Sequence, residues 1–236
     1  MTIGKPHKTE WHTLLSVIAT AQRQMAHKVE LFTARHRFEE QHYARYLSMQ
    51  FHLTRGVQRY FLNAAAHSDL AHRKPLRAFL CDFASEEELH FTIADRDLAA
   101  MGRRPDEEPF DVALWHSYFT SITSQRPFIR LGAACVLENL SGGEMQASLQ
   151  KLLSSQFLNR ENTRFIVLHQ HETIPHGDQI LEALAGAQLS LAQMCDLTAG
   201  ARQGGLFFLR FIDWAFKMNE DERALFGSMD TSVVAA

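Results

Sequence analysis

Cysteine is scarce in this chain: 236 residues contain three, Cys81, Cys135 and Cys195. An odd number, far apart and set among apolar neighbours, excludes a disulfide framework and favours buried thiols in a reducing compartment. An excess of positive charge is also missing, since 24 Lys and Arg are set against 27 Asp and Glu for a formal net charge of −3. With no basic face and no polybasic segment, neither nucleic acid nor an anionic membrane surface is expected as a partner. No run approaches the roughly 18 consecutive apolar residues of a membrane span, and Met1 to Lys8 lacks the apolar stretch of a secretion signal. The expected location is the cytoplasm. Phosphate and nucleophile signatures are lacking as well: no Gly-x-Gly-x-x-Gly, no phosphate loop, no Cys-x-x-Cys and no Gly-x-Ser-x-Gly elbow. A nucleophile-based hydrolase therefore has little support.

What is present is apolar periodicity. Hydrophobic residues make up 46% and charged residues 22% of the chain, enough for a buried core. Trp11, Leu14, Leu15, Ile18, Ala21, Met25, Val29 and Phe32 recur at the three-and-four step of a helix that runs from Thr9 or Glu10 to about His36. A second helix is expected from about Glu39 to Ala66, with an unusually aromatic face. A third starts between His72 and Pro75 and continues through Leu76, Phe79, Leu80, Phe83, Leu89, Ile93 and Leu98 to Gly102. Beyond the turn-rich connector 102–109 come helices over Val112 to Ile122, from Pro127 onward, over about Met145 to Phe157 after Gly142-Gly143, and from near Asn162. A helix over Asp178 to Leu184, a softer stretch over 186–205 and a strongly apolar last helix from Leu206 to Met218 complete the reading. The tail from about Ser228 is expected to fray. No β alternation and no repeat occurs, so the expected fold is all-α, one domain over residues 1–236.

The chemistry-bearing residues cluster in three places. Glu87 and His90 are spaced i, i+3 and would share a helix face, the spacing that helical-bundle iron and manganese sites use. Glu138 lies within the apolar run Ala134-Cys135-Val136-Leu137-Glu138-Asn139-Leu140, where a lone carboxylate is costly without a partner or a metal. In His169-Gln-His171-Glu172-Thr173-Ile-Pro175-His176, steps of about 100° place His169, Glu172, Thr173 and His176 within about a third of a turn, with His171 off that face. Carboxylates and imidazoles without cysteine suit iron, manganese or zinc. Plainer readings exist for each. Glu86, Glu87 and Glu88 could form a solvated acidic face, Glu138 could pair with Arg130 or Arg164, and the histidines, among 13 in the chain, could be ordinary hydrogen-bonding residues. A ferritin-like di-iron site would show two Glu-x-x-His motifs. Here there is one.

The order of Glu87-x-x-His90, then Glu138, then His169 and His176 resembles the heme-oxygenase-like iron oxidases, the group that includes the 1-alkene-forming fatty-acid decarboxylase. The surroundings are similar too: His36-Arg37-Phe38 ahead of Tyr43-Ala-Arg-Tyr46-Leu47, and Glu86-Glu87-x-x-His90 running to Asp97-Leu98-x-x-Met101-Gly102. The resemblance spans roughly residues 30 to 185. It implies a heme-oxygenase-like bundle of about seven helices, related to thiaminase II and pyrroloquinoline quinone synthase. It also implies that Glu87, His90, Glu138, His169 and His176 are metal ligands. The family's third motif has an aspartate four residues after its first histidine; here that place is Thr173, with Glu172 one residue away as the substitute carboxylate.

The implied function is an iron-dependent oxidase or oxygenase that uses dioxygen on a small organic substrate in the bundle interior, with one Fe(II) firmly bound and a weak second position. Tyr43, Tyr46, Phe51 and Trp115 are the expected aromatic lining. Two alternatives stay open. One is a metal-free thiaminase-like or quinone-synthase-like enzyme using histidines as acids and bases, although Cys135 and Cys195 lack a nucleophile's setting. The other is a non-catalytic ligand-binding protein with a degraded metal site. The substrate is left unspecified, and a homodimer is admissible.

Overall fold

The three-and-four step of the N-terminal apolar residues becomes α1, Lys8–Arg35, which buries Leu14, Ile18, Ala21, Met25, Val29 and Phe32 on one face. The structure, a computed structural model, describes residues 7–168 and 176–218. Regular secondary structure among them is entirely helical: after α1 come α2 (Glu40–Thr54), α3 (Gln58–Ala66), a 3₁₀ turn (Ser68–Leu70), α4 (Lys74–Glu87) and α5 (His90–Ala100). They are followed by α6 (Phe110–Thr123), α7 (Pro127–Leu137), α8 (Met145–Leu153), α9 (Arg164–Leu168), α10 (His176–Ala185) and α11 (Leu191–Phe216). Pro75 and Pro127 both sit in first turns, where a missing N–H costs nothing.

Two of the long helices expected from periodicity are broken rods. The second parts between α2 and α3 at Gly56, whose φ of 78° needs a residue without a Cβ. The third parts between α4 and α5, where Leu89 departs from helical geometry (φ −107°, ψ 6°). Leu89, expected on the apolar face, is therefore 61% exposed at the break. Counting each broken pair as one rod and setting aside the short α8 and α9, the described residues form seven rods.

The expectation of a soft stretch over 186–205 is corrected: α11 is a continuous 26-residue helix. It opens on a capping box, in which the Ser190 hydroxyl accepts the Gln193 N–H and the Gln193 side chain returns to the Ser190 N–H. Its small residues are there because α7 crosses it backbone to backbone. A Cβ on Gly200 would collide with the Ile129 carbonyl, one on Gly132 with the Leu197 carbonyl, and one on Gly204 would lie 2.8 Å from the Ala133 Cα. Glycine inside a helix costs roughly 0.5–1 kcal/mol relative to alanine, and here the close approach is what that cost provides. Against this crossing the main core assembles, with Phe32, Phe61, Phe83, Trp115, Phe128 and Phe211 almost fully buried.

A second, smaller cluster joins α2, α5 and α9 through Tyr43, Leu47, Ala94, Leu98 and Phe165. Residues that carried the family resemblance act here as ties. The Tyr43 hydroxyl donates to the Asn162 carbonyl at 2.7 Å, and Arg45 stacks 3.8 Å over Trp214 while donating to its carbonyl. Asp97, fully buried, accepts the Phe165 N–H at 2.8 Å and so holds the start of α9. Burial pushes its carboxyl up to about 6, against the opposing pull of that N–H and of Arg164.

The cysteines also differ from expectation. Cys135 is buried, whereas Cys81 and Cys195 are exposed, because each occupies the outward step of its helix next to a buried neighbour, Leu80 and Met194. Helix α8 stops at Leu153, short of Phe157. No helix among the described residues is long and apolar enough to cross a membrane.

Two outcomes follow from this packing. Gly200→Ala should destabilise the fold by about 3 kcal/mol or more, since backbone must move to admit the methyl group. Gly205→Ala, whose new Cβ would meet Ala21 at an ordinary 3.4 Å, should be neutral or stabilising by up to about 1 kcal/mol. Chemical denaturation of the two variants checks the pair. For Asp97, a folded-state value above the ordinary aspartate value of 3.8 means that the folded state binds the proton more tightly. Stability should therefore fall as pH rises from 4 to 7, by on the order of 2–3 kcal/mol. Asp97→Asn, which keeps an acceptor for the Phe165 N–H, should flatten that slope in melting curves taken across the window.

Candidate metal centre

Four helix ends meet at one point. Glu87 is the last residue of α4, His90 the first of α5, Glu138 caps the C-terminus of α7, and His176 begins α10. Glu87, His90 and His176 are buried and Glu138 is half-buried. The His90 Nδ1 lies 2.8 Å from Glu87 Oε2, and the His176 Nδ1 lies 2.9 Å from Glu87 Oε1 and 3.8 Å from Glu138 Oε2. One ligand atom from each of Glu87, Glu138 and His176 falls within 4.8 Å of the others. The two imidazoles stack with ring centroids 6.1 Å apart, and Phe83 meets His176 edge-on at 4.9 Å, which limits their rotation.

Glycine and asparagine bring the last two elements together. A Cβ on Gly177 would collide with the side chain of Asn139, which donates to the Cys135 carbonyl at 2.8 Å and is thereby fixed on α7. The chain thus places a residue without a side chain directly after His176 and a clamped amide directly after Glu138. From α1, the Gln22 amide donates to the Asn139 carbonyl at 2.6 Å and holds the turn.

The electrostatics explain why such a cluster asks for a cation. Both carboxylates sit at helix C-termini, where the macrodipole is negative and gives an anion no support. Burial by itself would raise the Glu87 carboxyl, but contacts with His176 and His90 overturn it and hold it down at about 2. Burial would lower His176, but Glu138 and Glu87 raise it to about 10. Without a metal, a protonated His176 and, at longer range, the buried Arg130 guanidinium oppose the charge of the carboxylates. Glu87 Oε1 has no aligned donor among the described residues, although His176 Nδ1 is 2.9 Å away. Two carboxylates with imidazoles and no thiolate fit a dication such as iron, manganese or zinc, which would replace that proton.

Of the residues expected from sequence, Glu87, His90, Glu138 and His176 converge, and His169, Glu172 and Thr173 lie outside the described residues. The Glu87 and His90 pair meets across a helix break, not on one regular helix as the spacing implied. The acidic-face reading holds for Glu88, which is exposed, and fails for Glu87; Glu86 is exposed too but its Oε2 lies 3.5 Å from His176 Nε2. Glu138 makes no ion pair with Arg130 or Arg164 among the described residues; its neighbour is His176.

A cavity of about 140 Å³ opens from this cluster into the bundle, lined by Glu87, His90 and Glu138 together with Tyr46, Trp115 and Arg130. Tyr43 faces an adjoining apolar cavity of about 100 Å³. Phe51 lines neither and packs against Phe91. Cys135 is inert as a nucleophile, since burial pushes its thiol up to about 12. Two contributions were not read from the sequence. Arg130 points to no motif, and the Gly177 and Asn139 pairing shows only once α7 and α10 are packed.

No family model and no curated protein matches the sequence. Among solved structures, the chain is similar to a domain of unknown function with a heme oxygenase-like fold from Shewanella denitrificans, with a TM-score of 0.72 and 19% identity over 94% of each chain. At that identity the likeness speaks for architecture, and the all-helical arrangement described above is a heme oxygenase-like fold.

Proposed function

We propose that this protein is an iron-dependent oxidase or oxygenase that uses dioxygen on a small organic substrate held in the interior cavity. The observation that carries the reading is the meeting of Glu87, Glu138 and His176 within 4.8 Å at the wall of that cavity, with His90 bound to Glu87. Iron held there would supply oxygen activation and redox chemistry that no side chain provides. The chain's own contribution is geometric and electrostatic. Glu87 is the anion on which both imidazoles are oriented, Glu138 adds the second negative charge, and Phe83 and the stacked rings restrict motion. Tyr46 and Trp115 give the cavity an apolar wall that keeps bulk water from the reacting groups.

The 2.8 and 2.9 Å contacts of Glu87 with the two histidines also favour a second reading, a metal-free acid–base group in which Glu87 holds His176 protonated. Iron content separates the two. Protein produced with iron supplied should retain about one equivalent after desalting, and added Fe(II) at roughly a hundredfold excess over Kd should raise Tm by about 5–10 °C. His90→Ala and Glu87→Gln should abolish that rise. No retained metal and no shift with Fe(II) or Mn(II) would leave the acid–base reading. Gly177→Ala should move His176 away from Glu138, lower Tm of the metal-free protein through the clash with Asn139, and weaken iron binding at least about tenfold, as measured by competition with a chromogenic chelator.

A further inference from the structure

Arg130 lies in the middle of α7, is 1% exposed and forms no direct ion pair with a described residue. Its Nε and Nη1 have no hydrogen-bond partner among the described residues. Four aromatic rings surround it, Tyr60 at 4.9 Å, Phe61 at 5.0 Å, Trp115 at 5.5 Å and Phe119 at 5.6 Å from the guanidinium carbon to the ring centres. The rings attract the cation and fix its plane, but they carry no net charge and leave its own uncancelled. A fold that needed only volume at this position would be served better by methionine or leucine. Burial lowers the guanidinium to about 10, so the side chain stays charged near neutral pH. It lines the same cavity as Glu87, His90 and Glu138. The carboxylates whose field reaches it are Glu138 and Glu87, the two that meet His176 at the candidate centre. A metal ion bound there would share its counter-ions with a cation that is already in place.

We infer that Arg130 is a resident positive charge that tunes the metal centre, weakening its hold on any cation and opposing a trivalent ion more than a divalent one, so that iron bound there favours the ferrous state. The inference rests on the iron reading above and adds to it a residue that sets the charge state of the metal. Repulsion between two charges grows with their product, so a ferric ion meets roughly half as much again as a ferrous ion at the same place. Around Arg130 the packing is aromatic and dry, and charges buried in this way are screened by salt far less than surface charges. Ferrous iron with open coordination positions is the form that takes up dioxygen. A charge that disfavours the ferric state therefore favours the reactive one. Arg130 is in this sense a positioning residue for charge, acting on the metal through space without being a ligand.

The experiment titrates Mn(II) into the full chain after EDTA treatment and desalting, and measures the midpoint potential of bound iron in the same set of proteins. Arg130→Met and Arg130→Gln should each bind Mn(II) at least about tenfold more tightly than the unaltered protein, whereas Arg130→Lys, which keeps the charge, should stay within about threefold. The potential of bound iron should fall in the two neutral variants and hold in Arg130→Lys. Both effects should persist at high salt. Mn(II) affinity unchanged in the neutral variants would overturn the inference and leave the iron reading standing. So would an equal change in Arg130→Lys and Arg130→Met, which would mark a loss of packing and not of charge, and so would a potential that rises or stays still in the neutral variants. Binding of Mn(II) by Arg130→Met and Arg130→Gln alone would sustain the inference and overturn the iron reading for the unaltered chain. No binding by any of the four proteins would overturn both.

Discussion

The rest of the structure depends on two helices meeting with almost nothing between them. Where α7 crosses α11, Gly132, Gly200 and Gly204 let backbone approach backbone, and any side chain at the first two would run into a carbonyl. Such a contact cannot slide without collision, so it fixes α7 along its length and in rotation. The polar groups on and just after α7 inherit that fixity: Arg130 two residues before Gly132, Glu138 at the C-cap and Asn139 directly past it. The aromatic core around Trp115, Phe119 and Phe211 then packs on a frame whose spacing is already set.

A second constraint is electrical. The interior holds Glu87, His90, His176, Asp97 and Arg130, all buried, in a molecule whose core otherwise looks ordinary. Each answers the cost of burial differently. Asp97 does so by shifting its proton affinity and accepting a backbone N–H. Glu87 does so through two imidazoles. Arg130 does so through aromatic faces and the more distant charges of Glu138 and Glu87. Groups retained inside a core at such cost are the ones for which packing alone gives no explanation, and here they share one cavity wall, Asp97 and His176 excepted.

Much of the architecture was legible in the chain because apolar periodicity survives tertiary packing. The faces of α1 and α6, apart from the exposed Leu15 and Leu114, the proline starts of α4 and α7 and the glycine pair before α8 stand where the pattern put them. The pattern failed where small residues carried the packing. The run from Ala199 to Gly205 reads as weak helix, since neither glycine nor alanine contributes an apolar signal, yet it is the most closely packed part of α11. It failed again at 88–89, where no glycine or proline marks the break between α4 and α5.

Residue chemistry and spacing by themselves determined an all-helical chain with one Glu-x-x-His pair, a carboxylate in an apolar run and a histidine after a proline. Only the tertiary structure decided that Glu87, Glu138 and His176 share a point in space, because that depends on how the ends of α4, α7 and α10 are aimed, and a glycine crossing and a Gly177 to Asn139 contact do the aiming. It also decided what Arg130 is. In sequence it is an arginine near a glutamate; folded, it is a buried cation with no direct ion pair among the described residues, within the field of Glu138 and Glu87. Long-range contacts of this kind leave no periodic trace, because each is made between residues whose separation along the chain is arbitrary.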